Sequence, residues 1–373
     1  MVSPRREEDH GPSTITGLSY KRIEDYTKDL DRSKNINELN GEIQTDRYGF
    51  IVHEANENVQ SKEIHLPIEI VQKREMKWLS MMKSWETYMK SKSKREKIKE
   101  RCRKGIPSAI RGRAWQLLTG AIKRKEKESD VYGKLAEKES PEWEHTIWKD
   151  VPRTFPYHEL YIEDKGPGQT SLFRVLKAYS LYNPDVGYSQ ALSPIVAVLL
   201  MHMTEEESFW ALVSICDNYL QGYFGKKLES VQLDCLIFSS LLERTYPYIS
   251  NHFRKHGIDP AMYIVEWMMC VFSRTLPFAT ALRVWDIFFC EGVKMLFRTA
   301  LSVLKVAFPT EKSLLLHDDD YDTIQRVNNI AREDLHETVL IPLALSLKLT
   351  KNDLKKLHAD ALSKRPDLAI TNS

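Results

Sequence analysis

Along most of this chain apolar residues recur three and four positions apart, and strict alternation is almost absent. In IEIVQKREMKWLSMMKSWETYMK (68–90), Met76, Leu79 and Met82, followed by Trp85 and Tyr88, predict a helix whose stripe faces a core. Pro107 is placed to open a helix through SAIRGRAWQLLTG, which supplies the apolar Ile110, Trp115 and Leu118 before Gly120 as its stop. SLFRVLKAYSLY puts Leu172, Val175, Leu176, Tyr179 and Tyr182 on one face, and TEEESFWALVSICDNYL begins with Thr204 and Glu207 in capping-box spacing. VQLDCLIFSSLLERTY, AMYIVEWMMCVFSRTLP and LRVWDIFFCEGVKMLFRTALSVLKVAF repeat the pattern. The expectation is an all-α fold with short polar connections, each helix burying one stripe on its neighbours. No period recurs well enough for a solenoid.

The pattern also divides the chain. Residues 1–65 are too polar to offset the entropy of ordering and read as mostly flexible. Within them, TDRYGFIVHE alternates Tyr48, Phe50 and Val52 with polar residues, predicting a short ordered segment near 45–53 pinned to the body. Residues 66–100 read as a helical lead-in, 101–312 as the main domain, and 313–373 as peripheral helices and a tail.

Composition then narrows the function. In 373 residues, 54 basic and 52 acidic side chains leave a net charge of +2, so no global field recommends nucleic acid as a partner. The N-terminus has mixed charge and no apolar core, which argues against a secretory signal, and ALSPIVAVLLMHM falls short of the roughly 20 residues that span a bilayer. These features point to a soluble, cytoplasmic protein. Cys102, Cys216, Cys235, Cys270 and Cys290 lack zinc or disulfide spacing and read as buried or incidental thiols. KSKSKREKIKERCRKG reads first as a solvated helix face and second as a patch for an acidic partner or membrane surface.

Familiar catalytic signatures are missing: no phosphate-binding loop, no dinucleotide fingerprint, no HExxH and no GxSxG. KGPGQT lacks the spacing of a phosphate cradle and reads as a loop. Two polar stretches at helix ends stand out. In IWKDVPRTFP, Asp150 and Arg153 lie one turn apart, with Pro152 and Pro156 ending the helix, so the carboxylate can orient a projecting guanidinium. In NPDVGYSQA, a turn built by Asn183, Pro184, Asp185 and Gly187 presents Tyr188 and Gln190 between two apolar helices. An exposed, braced arginine and a loop glutamine suit phosphoryl transfer to water; a structural ion pair and a capping amide explain the same spacing.

Four stretches in order, KGIPSAIRGRAW (104–115), IWKDVPRTFP (147–156), LKAYSLYNPDVGYSQALSPIVAVLL (176–200) and RTLPFATALRVWDIFFCEG (274–292), resemble the TBC domain of Rab GTPase-activating proteins. The resemblance implies a V-shaped, all-α domain that binds Rab GTPases in their GTP state, regulates vesicle trafficking and supplies catalytic residues in trans, as an activator. Ile147, Asp150 and Arg153 fall on IxxDxxR, making Arg153 the arginine finger; Tyr188 and Gln190 fall on YxQ, making Gln190 the glutamine finger. Arg113, Trp115, Arg283, Trp285 and Asp286 match positions that stabilise the domain or frame its groove. No cofactor is implied for this chain, since Mg²⁺ and GTP belong to the Rab. Recruitment to endomembranes or the plasma membrane is compatible with this reading, as is a helical adaptor that binds GTP-loaded small GTPases without catalysis. One departure is Ala191, where many members have glycine, which implies a stiffer or re-aimed loop if that position needs positive φ.

Overall fold

The structure, a computed structural model, describes residues 44–52, 66–225, 227–317 and 319–369. The expected flexibility of residues 1–43 and 53–65 lies outside the described residues. Among the described residues the fold is all-α, without a β-strand; its only extended pairings are the isolated bridges Thr45–Ile51 and Phe50–His158.

The lead-in supplies α1 (Ile68–Lys83), α2 (Trp85–Lys90) and α3 (Lys92–Lys104). Then come α4 (Ser108–Thr119), α5 (Ala121–Lys127), α6 (Val131–Glu137), α7 (Glu144–Asp150), α8 (Pro167–Tyr182), α9 (Leu192–Leu200) and α10 (Glu205–Asn218). The remainder runs through α11 (Glu229–Thr245), α12 (Pro247–Lys255), α13 (Ala261–Met269), α14 (Phe278–Glu291), α15 (Lys294–Ala307), α16 (Glu311–Leu314), α17 (Asp320–Asn328), α18 (Glu337–Ser346) and α19 (Lys351–Lys364).

Local chemistry explains several boundaries. Pro107 precedes α4, and Gly120 ends it at φ +81, where a side chain would be strained. Thr204 and Glu207 form the capping box of α10. Every residue of α9 from Leu192 to Leu199 is buried, as expected of a helix that is apolar all round. It packs on α8 and α10, which sit in turn on α6 and α5. A second group joins α11 to α12, α13 and α19, while α14 and α15 pack on each other and on α18.

One buried carboxylate ties this framework together. Asp286 of α14 has no exposed area and accepts from the Ile106 amide at 2.8 Å, the Trp115 indole at 2.9 Å and Arg111 Nε at 3.3 Å. Arg111 also donates to the Ile106 carbonyl at 2.7 Å. Burial pushes the Asp286 carboxyl up, opposed by Arg111 and the other donors. The core continues beyond residue 312: Leu340 and Ala344 of α18 are wholly buried, Thr280 donates to the Leu335 carbonyl at 2.9 Å, and Arg298 to that of Leu349 at 3.1 Å.

Two local expectations are corrected. Met76 and Leu79 of α1 are 71% and 47% exposed, while Trp78 and Met81 are buried. The bulkier indole selects the inward face, and the break at Ser84 resets the helical phase before Trp85. KGPGQT is not a loop throughout: Pro167 occupies the first turn of α8, and Gln169 there donates to the Tyr161 carbonyl and accepts from the Lys165 amide.

Candidate functional site

The arginine segment begins on α7, anchored by Ile147, which is fully buried, and by the stacking of Trp148 on Phe173 of α8 at 4.3 Å between centroids. The helix tightens into a 3₁₀ turn over Val151–Arg153, with Pro152 in its first positions. Val151 points inward; Arg153 points out, its side chain 36% exposed. Its Nη2 donates to Asp150 Oδ1 and its Nε to the Lys149 carbonyl at 3.0 Å. Two of its nitrogens are thus fixed from its own helix end, and Nη1 has no hydrogen-bond partner among the described residues.

The glutamine loop arrives from α8. Gly187 adopts φ +61, and a Cβ there would lie 2.5 Å from Cζ2 of Trp143, so this turn requires glycine on two counts. Tyr188 follows, buried, and donates to Asp150 Oδ2 at 2.7 Å. Burial, and then the Asp150 carboxylate, push the Tyr188 phenol up, so it stays a donor. The two oxygens of Asp150 therefore hold both segments, one through Arg153 and the other through Tyr188. A second tie lies beneath: Thr154 donates to the Asp150 carbonyl at 2.9 Å, which leaves the Ser193 hydroxyl, 2.8 Å away, to donate to Thr154.

Gln190 is exposed at the turn before α9, and no hydrogen bond to its amide exists among the described residues. Its carbonyl accepts from the Ser193 amide at 3.2 Å, which fixes the backbone and leaves the side chain free to turn. Ala191 has φ −66, in the ordinary helical region, so alanine replaces glycine here without conformational cost.

The remaining sequence candidates sit in the framework. Trp115 and Asp286 belong to the buried cluster; the Trp285 indole donates to the Val271 carbonyl at 2.9 Å; Arg283 donates to the Arg103 carbonyl at 2.5 Å and faces Glu337 at 3.5 Å. Arg113 is exposed, and the buried arginine of this cluster is Arg111, two residues earlier. Sequence reasoning missed Arg111, Trp143, Thr154 and Ser193. Only Arg111 had a usable signal, since positions 111 and 113 point to different sides of a helix and just one can accompany Trp115 inward. Among the described residues no group of three or more His, Cys, Asp or Glu side chains is placed to hold a metal, and no helix is long and apolar enough to cross a membrane.

Comparison with known proteins places this geometry in context. The family model for the Rab-GTPase-TBC domain matches residues 108–312. TBC1 domain family member 10A of Mus musculus is 42% identical over 324 residues, which cover 86% of this chain and 64% of that protein. TBC1 domain family member 10B of the same species is 41% identical over 348 residues, 92% of this chain and 43% of that protein. The chain thus spans less than two thirds of the length of either relative. The crystal structure of the Chlamydomonas flagellar RabGAP TBC domain is similar with a TM-score of 0.64 at 28% identity, covering 81% of this chain and 99% of that one.

Proposed function

This chain belongs to the Rab-GTPase-TBC domain family, and on that premise we propose that it accelerates GTP hydrolysis by a GTP-bound Rab-family small GTPase, and through it regulates vesicle traffic. The observation that carries the reading is the shared carboxylate: Asp150 holds Arg153 on one oxygen and the Tyr188 of the glutamine loop on the other. An exposed guanidinium and the loop that carries an exposed carboxamide are thereby tethered to one point.

In this reading Arg153 enters the Rab nucleotide site and neutralises charge that spreads onto the γ-phosphate as the terminal bond breaks. Gln190 orients the attacking water, accepting from it through its carbonyl oxygen. Asp150 aims Arg153, and Tyr188 keeps Asp150 turned toward it. Mg²⁺ and GTP arrive with the Rab, so the chain acts as an activator that completes another protein's active site. Recruitment to a membrane would follow from its partners and its basic lead-in.

The test is single-turnover GTP hydrolysis across a panel of purified Rabs, with wild-type protein beside Arg153→Ala and Gln190→Ala. Acceleration of one or a few Rabs, lost in both variants, supports the two-finger reading. GTP-dependent binding without acceleration would move the protein to the adaptor class.

A further inference from the structure

Residues 45–51 precede the stretch matched by the family model, yet they lie directly against the segment that follows Arg153 and belong to the same compact unit as the helices. Asp46 shapes them into a turn, its carboxylate accepting from the Tyr48 and Phe50 amides at 2.8 and 3.0 Å. The turn is stitched to residues 157–159 by the backbone: the Ile51 amide donates to the Tyr157 carbonyl at 2.9 Å and the Glu159 amide to that of Gly49 at 2.8 Å. Gly49 has φ +86, and a Cβ there would lie 2.8 Å from Glu159 Oε1 and 2.9 Å from His158 Nε2, so the approach requires glycine. His158 completes the seam, with Nε2 donating to the Tyr48 carbonyl at 2.8 Å and Nδ1 accepting from the Leu160 amide at 3.1 Å.

The side chains carry this seam back toward the finger. Phe50 packs edge-on against Phe155 at 5.9 Å, Phe278 at 4.9 Å and His158 at 4.9 Å between centroids. Phe155 is two residues beyond Arg153 and holds φ +50, a left-handed conformation that an aromatic residue keeps only when its surroundings hold it there. Thr154, between the two, is tied to Asp150 and Ser193. The backbone leaving Arg153 is therefore fixed at Thr154 from inside and at Phe155 from the upstream turn.

We propose that residues 46–51 are a strap that positions Arg153 by holding Phe155 in its left-handed conformation, which makes Phe50 and Gly49 positioning residues for the reaction. The inference rests on the reading of Arg153 as the arginine finger. A finger displaced by about 1 Å costs on the order of 100-fold in rate, so a small relaxation behind it is measurable.

The experiment uses the full chain carrying Phe50→Ala or Phe50→Leu, beside wild type, with two readouts. In hydrogen exchange of the free protein, Phe50→Ala is expected to speed exchange at residues 154–160 and leave α9 and α10 unchanged. In single-turnover hydrolysis with a Rab that the wild type accelerates, the same variant is expected to lower the maximal rate by about 10- to 100-fold. The half-saturating Rab concentration should stay put, and Phe50→Leu should recover most of the rate. Unchanged exchange at 154–160 overturns the strap, as does faster exchange with an undiminished maximal rate. A shift confined to half-saturation also overturns it, making the turn a docking contact. If Phe50→Ala melts as a whole, Gly49→Ala replaces it under the same criteria. Wild-type protein that accelerates no Rab overturns the finger reading itself, a failure told apart from the others because it precedes any substitution.

Discussion

Two aspartates, each paired with an arginine and with an aromatic donor, behave as opposites in this molecule. Asp286 is wholly enclosed, and its arginine, Arg111, is buried with it; together with the Trp115 indole and the Ile106 amide they rivet α4 and the end of the lead-in to α14. Asp150 lies at a helix end, takes Tyr188 from the inside and lets Arg153 reach outward. The pairing chemistry is the same, and the burial of the partner decides its use. A charge that has lost its water on both sides holds elements together, whereas a charge braced on one side keeps its remaining donors for something else.

The comparison breaks if either aspartate behaves like the other. The largest effect is expected from Arg153→Ala, which should remove about 10³- to 10⁵-fold of rate acceleration toward the responsive Rab while the melting temperature stays at the wild-type value. Asp286→Ala should do the reverse: removing one partner of a buried pair leaves Arg111 uncompensated and costs roughly 3 to 5 kcal/mol in chemical denaturation, with the surviving folded fraction still able to bind a Rab. Asp150→Ala sits between them. It should lower the maximal rate on the order of 100-fold through misplacement of the guanidinium, and cost about 1 to 3 kcal/mol because the buried Tyr188 hydroxyl loses its acceptor. Equal stability losses at positions 150 and 286 would erase the distinction.

The smallest effect sharpens it with a third carboxylate. Asp234 is buried with, among the described residues, only the Tyr223 hydroxyl donating to it, and burial pushes its carboxyl up to about 7. Its folded value lies above the ordinary one, so its contribution to stability is complete below about pH 4 and is lost as pH rises toward 7. Asp234→Asn, neutral throughout, should therefore melt higher than wild type at pH 8 and lose that advantage near pH 4. Thermal melts at the two pH values check this, and an unaltered difference would mean that Asp234 stays charged without cost.

Much of the fold was legible because it is written in large side chains. Trp115, Trp285 and the apolar stripes of α8, α10, α14 and α15 admit few arrangements other than packed helices, and Pro107, Gly120 and the Thr204–Glu207 box mark helix ends by chemistry local to them. The spacing of Asp150 and Arg153 was legible for the same local reason. What escaped depends on contacts between distant parts of the chain. Thr154 and Ser193 are ordinary small hydroxyls until the fold sets them 2.8 Å apart, and Trp143 matters only because Gly187 comes to rest against it. In α1 the helical period is as expected but the phase differs, since Met76 and Trp78 lie on nearly opposite faces and the bulkier indole takes the inward one. The concern over Ala191 dissolves in a backbone angle of −66, which no single sequence reveals.

The ties between Thr280 and Leu335 and between Arg298 and Leu349 run from α14 and α15 to backbone that lies after residue 312, just as the Asp286 cluster recruits the amide of Ile106, which lies before residue 108. The stretch recognisable as the family's own is thus smaller than the hydrogen-bonded body it belongs to. A recombinant fragment trimmed to 108–312 would start life with severed hydrogen bonds at both cuts and with the α18-facing surface of α15 bare, inviting aggregation. For anyone expressing this protein, the workable borders are those of its packed residues, which run from the strap that begins at Thr45 to the buried Leu368.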